Sequence, residues 1–244
     1  MKDQHSKRKD YLDVLDEVNR MKRCVNCNNI VSDDAQYCVK CGYPIFTFGT
    51  LKQLLGNFVG HADYIQSESY FDSSFKFPLI SKLKSEEMNL ASIVINDLFE
   101  WLIYLRTSDG RILNEEVEFI NLFFEKPYVR QSVVNGQMLY EEVKFTGFIL
   151  DLPYTKEKID NLIKTKLNES YSKELPMSFK MFYEFDKFAL KNIPNTSYEW
   201  AKGLLDMYDW LGRYYNALDG DLYGPKRDLF NSYMNNLSKN LNDL

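Results

Sequence analysis

At 244 residues the chain can hold one sizeable domain or two smaller ones, and a core of ordinary density needs no covalent help at that size. A hydrophobic fraction of 45% with 27% charged residues excludes disorder throughout. The net charge of -5 argues against a protein whose main business is wrapping nucleic acid, because phosphate neutralisation needs a surplus of Lys and Arg, although a local basic patch stays open.

The first residues, MKDQHSKRKDYLDVLDEV, mix acidic and basic groups with no apolar run behind them, so no signal peptide is expected. Residues 1–21 read as a charged leader. Lys7, Arg8 and Lys9 form its basic cluster, and Tyr11, Leu12, Val14, Leu15 and Val18 give it a weak apolar face. The most apolar stretch of the chain, IVINDLFEWLIYL, is broken by Asn96, Asp97 and Glu100 and falls short of the ~20 residues of a membrane span. A cytoplasmic location follows as the expectation. In a reducing compartment, paired cysteines serve as metal ligands or redox pairs more often than as structural disulfides.

All the cysteines lie in residues 22–46. Cys24 and Cys27 are two residues apart, as are Cys38 and Cys41, with ten residues between the pairs. Each gap lets a tight turn aim both sulfurs at one point, and two such turns face to face supply four tetrahedral corners. Asn28 and Gly42 follow the pairs, where positive φ is wanted. A thioredoxin-like redox pair would not come doubled. Four thiolates also leave no open position for water or substrate, so the expected cofactor is one structural zinc ion per chain. Lys22, Arg23 and Lys40 stand nearby in sequence to offset the negative charge; they could also touch nucleic acid. The stretch resembles the short zinc ribbons found at the N-terminus of many bacterial proteins.

Residues 47–85 read as a connector. GTLKQLLGNFVG could form a short helix or a hairpin-like packing piece, and SESYFDSSFKFP has a loop's composition. From about residue 86 the pattern is helical. Thr155 opens a run with Ile159, Leu162, Ile163 and Leu167 on one face. Pro176 suits a helix first turn and precedes Phe179, Phe182, Phe185 and Leu190. Thr196 and Glu199 have the spacing of a capping box. No segment outside the ribbon alternates with period two for long enough to predict a strand, so the body is expected to be mainly α.

Within this body, residues 86–244, the sequence repeats itself at an offset of 110. Val94, Leu98, Trp101 and Leu105 form one helical stripe, and Leu204, Tyr208, Leu211 and Tyr215 repeat it. Asp109-Gly110 then matches Asp219-Gly220, Ile112 matches Leu222, and Phe119, Ile120 and Phe123 match Leu229, Phe230 and Tyr233. Asn114 suits an N-cap before Glu115 and Glu116, while Gly224 and Pro225 suit the second helix start. The expected fold is a multi-helix bundle built on a two-fold helix, Asp-Gly turn, helix repeat. Turn architecture explains all of this spacing, with Gly110 and Gly220 allowing the reversal. A sharper reading makes Asp109 with Glu115 or Glu116, and Asp219 with Asp221, oxygen ligands to a divalent cation, although neither loop meets the EF-hand pattern.

The segments WLIYLRTSDGRILNEEVEFINLFF and WLGRYYNALDGDLYGPKRDLFNSYMNNL resemble the two halves of a tellurite-resistance B-like, or TerB-like, helical domain. The matching positions are Asp109, Gly110, Glu116, Asp219 and Gly220. That resemblance implies an all-helical bundle, an acidic metal-binding surface, a place in stress-response or phage-defence assemblies, and no established catalytic activity. Lys226 departs from it by standing where Glu116 stands in the first half.

Catalytic constellations are not found. His5 lies in the leader and His61 in the connector, leaving the helical body without a histidine base. Neither a phosphate-cradling loop nor a dinucleotide fingerprint appears, so no nucleotide cofactor is expected. Glu184 and Asp186 stand among aromatics as a partly buried acidic pair. Trp101, Trp200 and Trp210 fit an aromatic core with some residues exposed to a protein partner. The functional expectation is a zinc-ribbon protein-interaction module or adaptor. Its rivals are a nucleic-acid-associated regulator using the ribbon and basic residues, and a cation-dependent protein using the acidic loops.

Overall fold

The computed structural model describes residues 23–32, 35–66, 89–108, 110–144, 150–166, 174–192, 199–219 and 224–242. Among them the chain forms seven α-helices, a two-stranded hairpin and, at the N-terminal side, the cysteine-bearing segment. The fold is mainly α, as expected.

The helix at the centre of the body is α2, Leu90–Leu105 (the first helix, α1, is Phe48–Gln66). Only Asn96, Asp97 and Glu100 interrupt the buried surface of α2, and a helix apolar on nearly every side must be covered on every side. The cover comes from α1 and from five further helices: α3 (Asn114–Phe124), α4 (Lys156–Lys166), α5 (Met177–Asn192), α6 (Trp200–Asn216) and α7 (Pro225–Asn242), each of which contacts α2. Both expected stripes are fully buried: Val94, Leu98, Trp101 and Leu105 on α2, and Leu204, Tyr208, Leu211 and Tyr215 on α6. Trp101 and Tyr208 join them, with ring centroids 4.7 Å apart. Each of these two helices runs into a 3₁₀ turn, Arg106–Ser108 or Ala217–Asp219, and then into the next helix. Gly110 takes the positive φ its turn requires, and Ile112 packs against the core.

Of the segment read as a connector, Phe48–Gln66 is a helix that belongs to this core. Thr47 caps α1 through its hydroxyl, which accepts from the Thr50 amide, and Leu51, Leu55, Phe58, Val59, Ala62 and Ile65 form the buried stripe of that helix. His61 therefore lies in the helical body, contrary to expectation. It stacks on Trp200 at 3.4 Å between centroids, and burial, with Arg130 nearby, lowers its pKa to about 4.

A hairpin also stands where no strand was expected. Strand β1 (Val129–Val134) pairs antiparallel with β2 (Gln137–Glu142) across Asn135 and Gly136, both at positive φ. An Asn-Gly pair between two short runs containing apolar residues is a strong local hairpin signal, and it outweighs the weak alternation on either side. The outer edge of β1 lies on α1. Asn57 accepts from the Gln131 amide, and Gln53 donates to the Val129 carbonyl. Gly56 makes room for this approach, since a Cβ there would stand 2.2 Å from the Val129 oxygen.

Two helix starts are capped from other helices. The Asp97 carboxylate, on α2, accepts from the Ser178 amide in the first turn of α5. Asp186, on α5, accepts from the Trp200 and Ala201 amides at the start of α6. Glu199 occupies the N-cap of α6 without a side-chain cap bond of its own and pairs with Lys202, while Thr196, the other member of the expected capping box, lies outside the described residues. Leu113 rather than Asn114 is the N-cap of α3, and Pro225 opens α7 as expected.

Replacing Gly56 with Ala should cost about 1–3 kcal/mol by overpacking against the Val129 backbone, read from denaturant unfolding. Gly49→Ala in the same helix, with no atom nearer than 3.8 Å, should cost nothing comparable. Burial pushes the carboxyls of Asp97 and Asp186 up to about 6, against amide hydrogen bonds that lower them. The folded state thus holds these protons more tightly than the unfolded chain, and stability should fall as pH rises from about 4 to about 6. In Asp97→Asn that decline should be shallower across a pH series of unfolding midpoints; equal slopes would contradict the assignment.

Candidate metal centre

The two cysteine pairs form matching turns. The Asn28 amide donates to the Cys24 carbonyl at 2.8 Å, and the Gly42 amide to the Cys38 carbonyl at 2.7 Å. Asn28 (φ 57°) and Gly42 (φ 71°) adopt the left-handed conformation expected of them. Each turn is closed by a further bond, from the Cys24 amide to the Asn29 carbonyl and from the Cys38 amide to the Tyr43 carbonyl. Isolated bridges between Arg23 and Ile30 and between Tyr37 and Pro44 hold the flanks together.

This arrangement brings all four sulfurs within 4.8 Å of one another. Cys24 and Cys41 lie 3.5 Å apart, and Cys27 and Cys38 lie 3.6 Å apart, too far for a disulfide. Sulfurs at the corners of a tetrahedron about 2.3 Å from zinc are separated by about 3.8 Å, so the donor set and its dimensions fit a four-thiolate site. Backbone amides reinforce it: Asn26 and Cys27 donate to Cys24, Asn29 to Cys27, Lys40 and Cys41 to Cys38, and Tyr43 to Cys41. In the metal-free chain, burial pushes the Cys24 thiol up to about 12, whereas the Tyr43 amide leads the bonds that hold Cys41 down to about 6.

The cysteine segment is seated on α6 and α7. Arg213 donates to the Asn26 side chain at 3.0 Å and pairs with Asp209 on its own helix. Asp209 accepts in turn from the Tyr43 hydroxyl at 2.9 Å, and Arg227 reaches the Asn26 carbonyl at 3.4 Å. Phe46 packs on Trp210 with centroids 4.5 Å apart. Burial works to lower the Arg213 pKa, but its hydrogen bonds to Asp209 and the negative charge of that carboxylate outweigh it. Arg213 therefore supplies positive charge near the thiolates from a distant part of the chain. Of the cations expected to do so, Arg23 donates to the Asn28 carbonyl at 3.5 Å, Lys40 is exposed, and Lys22 lies outside the described residues. Nothing in local sequence spacing signals Arg213 or Asp209.

The acidic turn residues are placed differently from one another. Asp109, Gly220, Asp221 and the side chain of Asp219 lie outside the described residues, and Glu115 is exposed. Glu116 is fully buried. Its Oε1 pairs with Arg106 and, at 3.2 Å, with Lys226, and its Oε2 accepts from the Leu113 amide at 2.9 Å. Lys226, 110 residues after Glu116 in the chain, thus pairs with it, and the Glu116 carboxylate is already surrounded by donors. Among the described residues, no second group of three or more metal-binding side chains comes together.

The zinc-ribbon domain family matches residues 23–45 of the chain. Neither a comparison with curated proteins nor one with solved structures gave a match.

Replacing Arg213 with Ala should loosen the seat while leaving the sulfurs in place. Amide exchange across residues 24–46 should quicken by about tenfold or more, as expected when a docking contact is lost, at unchanged metal content. Unchanged exchange would show that the contact contributes nothing to the seat.

Proposed function

We propose that the protein is a zinc-stabilised protein-interaction module, an adaptor in which a closed four-thiolate ribbon is presented from a helical body. The observation that carries this reading is the distribution of apolar groups on the ribbon. Asn26, Tyr43 and Phe46 engage the helices, whereas Ile30, Tyr37 and Val39 are 70%, 62% and 91% exposed. In so small a domain, three large apolar side chains facing water fit a surface that a protein partner covers. With four thiolates on the ion, its chemistry would be structural: it would hold Cys24, Cys27, Cys38 and Cys41 together and so fix where those side chains stand.

The TerB-like resemblance would place such an adaptor in a stress-response or phage-defence assembly. Two contacts support the two-fold organisation it implies. Arg106 donates to Asn216 at 3.4 Å, and Lys226 pairs with Glu116, and each pair joins positions 110 residues apart. Corresponding positions of two related halves meet in this way when they lie near a pseudo-two-fold axis.

Purified protein should carry one zinc per chain by elemental analysis. Cys38→Ser should lose that zinc and unfold residues 23–45 without unfolding the helices. A metal-free chain with a fully ordered ribbon would overturn the assignment. For the partner, affinity capture with the wild-type chain should recover a protein that the double variant Ile30→Asp, Val39→Asp fails to recover. Recovery of nucleic acid alone, with steep salt dependence, would favour the nucleic-acid rival.

A further inference from the structure

The hairpin has one edge committed and one edge without a backbone partner among the described residues. Gln131 and Val129 turn their outward amide and carbonyl toward Asn57 and Gln53 of α1, so β1 is covered. In the register that pairs Val134 with Gln137 and Gln131 with Tyr140, the residues of β2 whose backbone groups point away from β1 are Met138, Tyr140 and Glu142. The amides and carbonyls of Met138 and Tyr140 have no partner among the described residues. Every residue of β2 is exposed, and Val133, Met138 and Tyr140 present apolar side chains at 65%, 49% and 64% exposure.

Sheet edges that stay in water are ordinarily protected by charged side chains, lysine above all, by a proline or by a bulge. Along Gln137–Tyr140 this edge has none of these, its register with β1 is unbroken, and its only charges, Glu141 and Glu142, stand together at one end. The hairpin is also too long to be one of the very short edges that avoid pairing by size.

We propose that the free edge of β2 pairs with the same edge of a second copy of this chain, joining two hairpins into a four-stranded antiparallel sheet. The sequence of the strand is complementary to itself in one register. With Leu139 on the two-fold axis, Leu139 faces Leu139 of the second copy, and Met138 faces Tyr140 in both directions. The outward groups of Met138 and Tyr140 then exchange hydrogen bonds as narrow pairs. Gln137 stands opposite Glu141, which already holds Arg130 at its side, so no carboxylate faces another. Sliding the pairing by two residues one way would set Met138 against Glu142, an apolar group against a charge, and the other way would set Leu139 against Gln137 and Tyr140 against Gly136, leaving a single apolar pair. The apolar centre and separated acidic ends thus select both the occupant and the register. Six-residue edges make a small interface, so the dimer forms by mass action at raised concentration.

Sedimentation equilibrium over a wide concentration range tests this directly. The wild-type mass should climb from 28.8 kDa toward twice that value as concentration rises. Leu139→Lys, which sets two ammonium groups face to face on the axis, should hold the chain at the monomer mass. Tyr140→Pro removes an outward amide without breaking the ladder to β1 and should do the same, with circular dichroism confirming that both variants keep the helical content of the parent. A wild-type chain that stays at 28.8 kDa at every concentration overturns the proposal, as does association that both variants preserve.

Discussion

Covering α2 is the constraint from which the rest of the architecture follows. Leu90–Leu105 buries its side chains around almost its whole circumference, and a helix of that kind has no stable position at a surface. Six other helices must lie against it, which explains why α1, remote from the body in the reading of local sequence, is drawn into the core. The close fits on its flanks follow from the same demand. Gly212 of α6 is one: a Cβ there would stand 2.3 Å from the Trp101 ring, so the helix can approach the indole only as glycine.

Polar groups carried into this packing are matched across the tertiary structure rather than along the chain. Asp97 and Asp186 each satisfy amides at the start of another helix, so that α2 caps α5 and α5 caps α6. Glu116 balances Arg106 and Lys226 in the interior, where losing one partner would strand a buried charge at a cost of about 3–5 kcal/mol. Lys52 on α1 adds to the pattern by donating to the Phe123 and Glu125 carbonyls at the end of α3.

The ribbon is joined to this body by the same kind of contact. Arg213 lies between Asp209, Asn26 and the ring of Tyr43, and so links the metal-binding turns to α6 through directional bonds. One face of the ribbon is thereby used inward, leaving Ile30, Tyr37 and Val39 outward. A rigid seat would lower the entropic cost of presenting that face to the partner proposed for it.

What the sequence determined by itself was whatever arises from short-range geometry. The Cys-x-x-Cys spacing, with Asn28 and Gly42 placed for positive φ, sets two turns whose sulfurs converge, and the apolar stripes of α2 and α6 follow from a 3.6-residue period. Asn135-Gly136 was equally legible as a turn, but the strands beside it alternate too weakly to be read without it. Tertiary structure alone decided the burial of α1, the capping of α6 by Asp186, and the enclosure of Glu116 between Arg106 and Lys226. It also decided the seating of the ribbon by Arg213 and Asp209. Each of these joins groups far apart in the chain, and whether a charge meets a partner or water depends on which helices pack together, which no local spacing records.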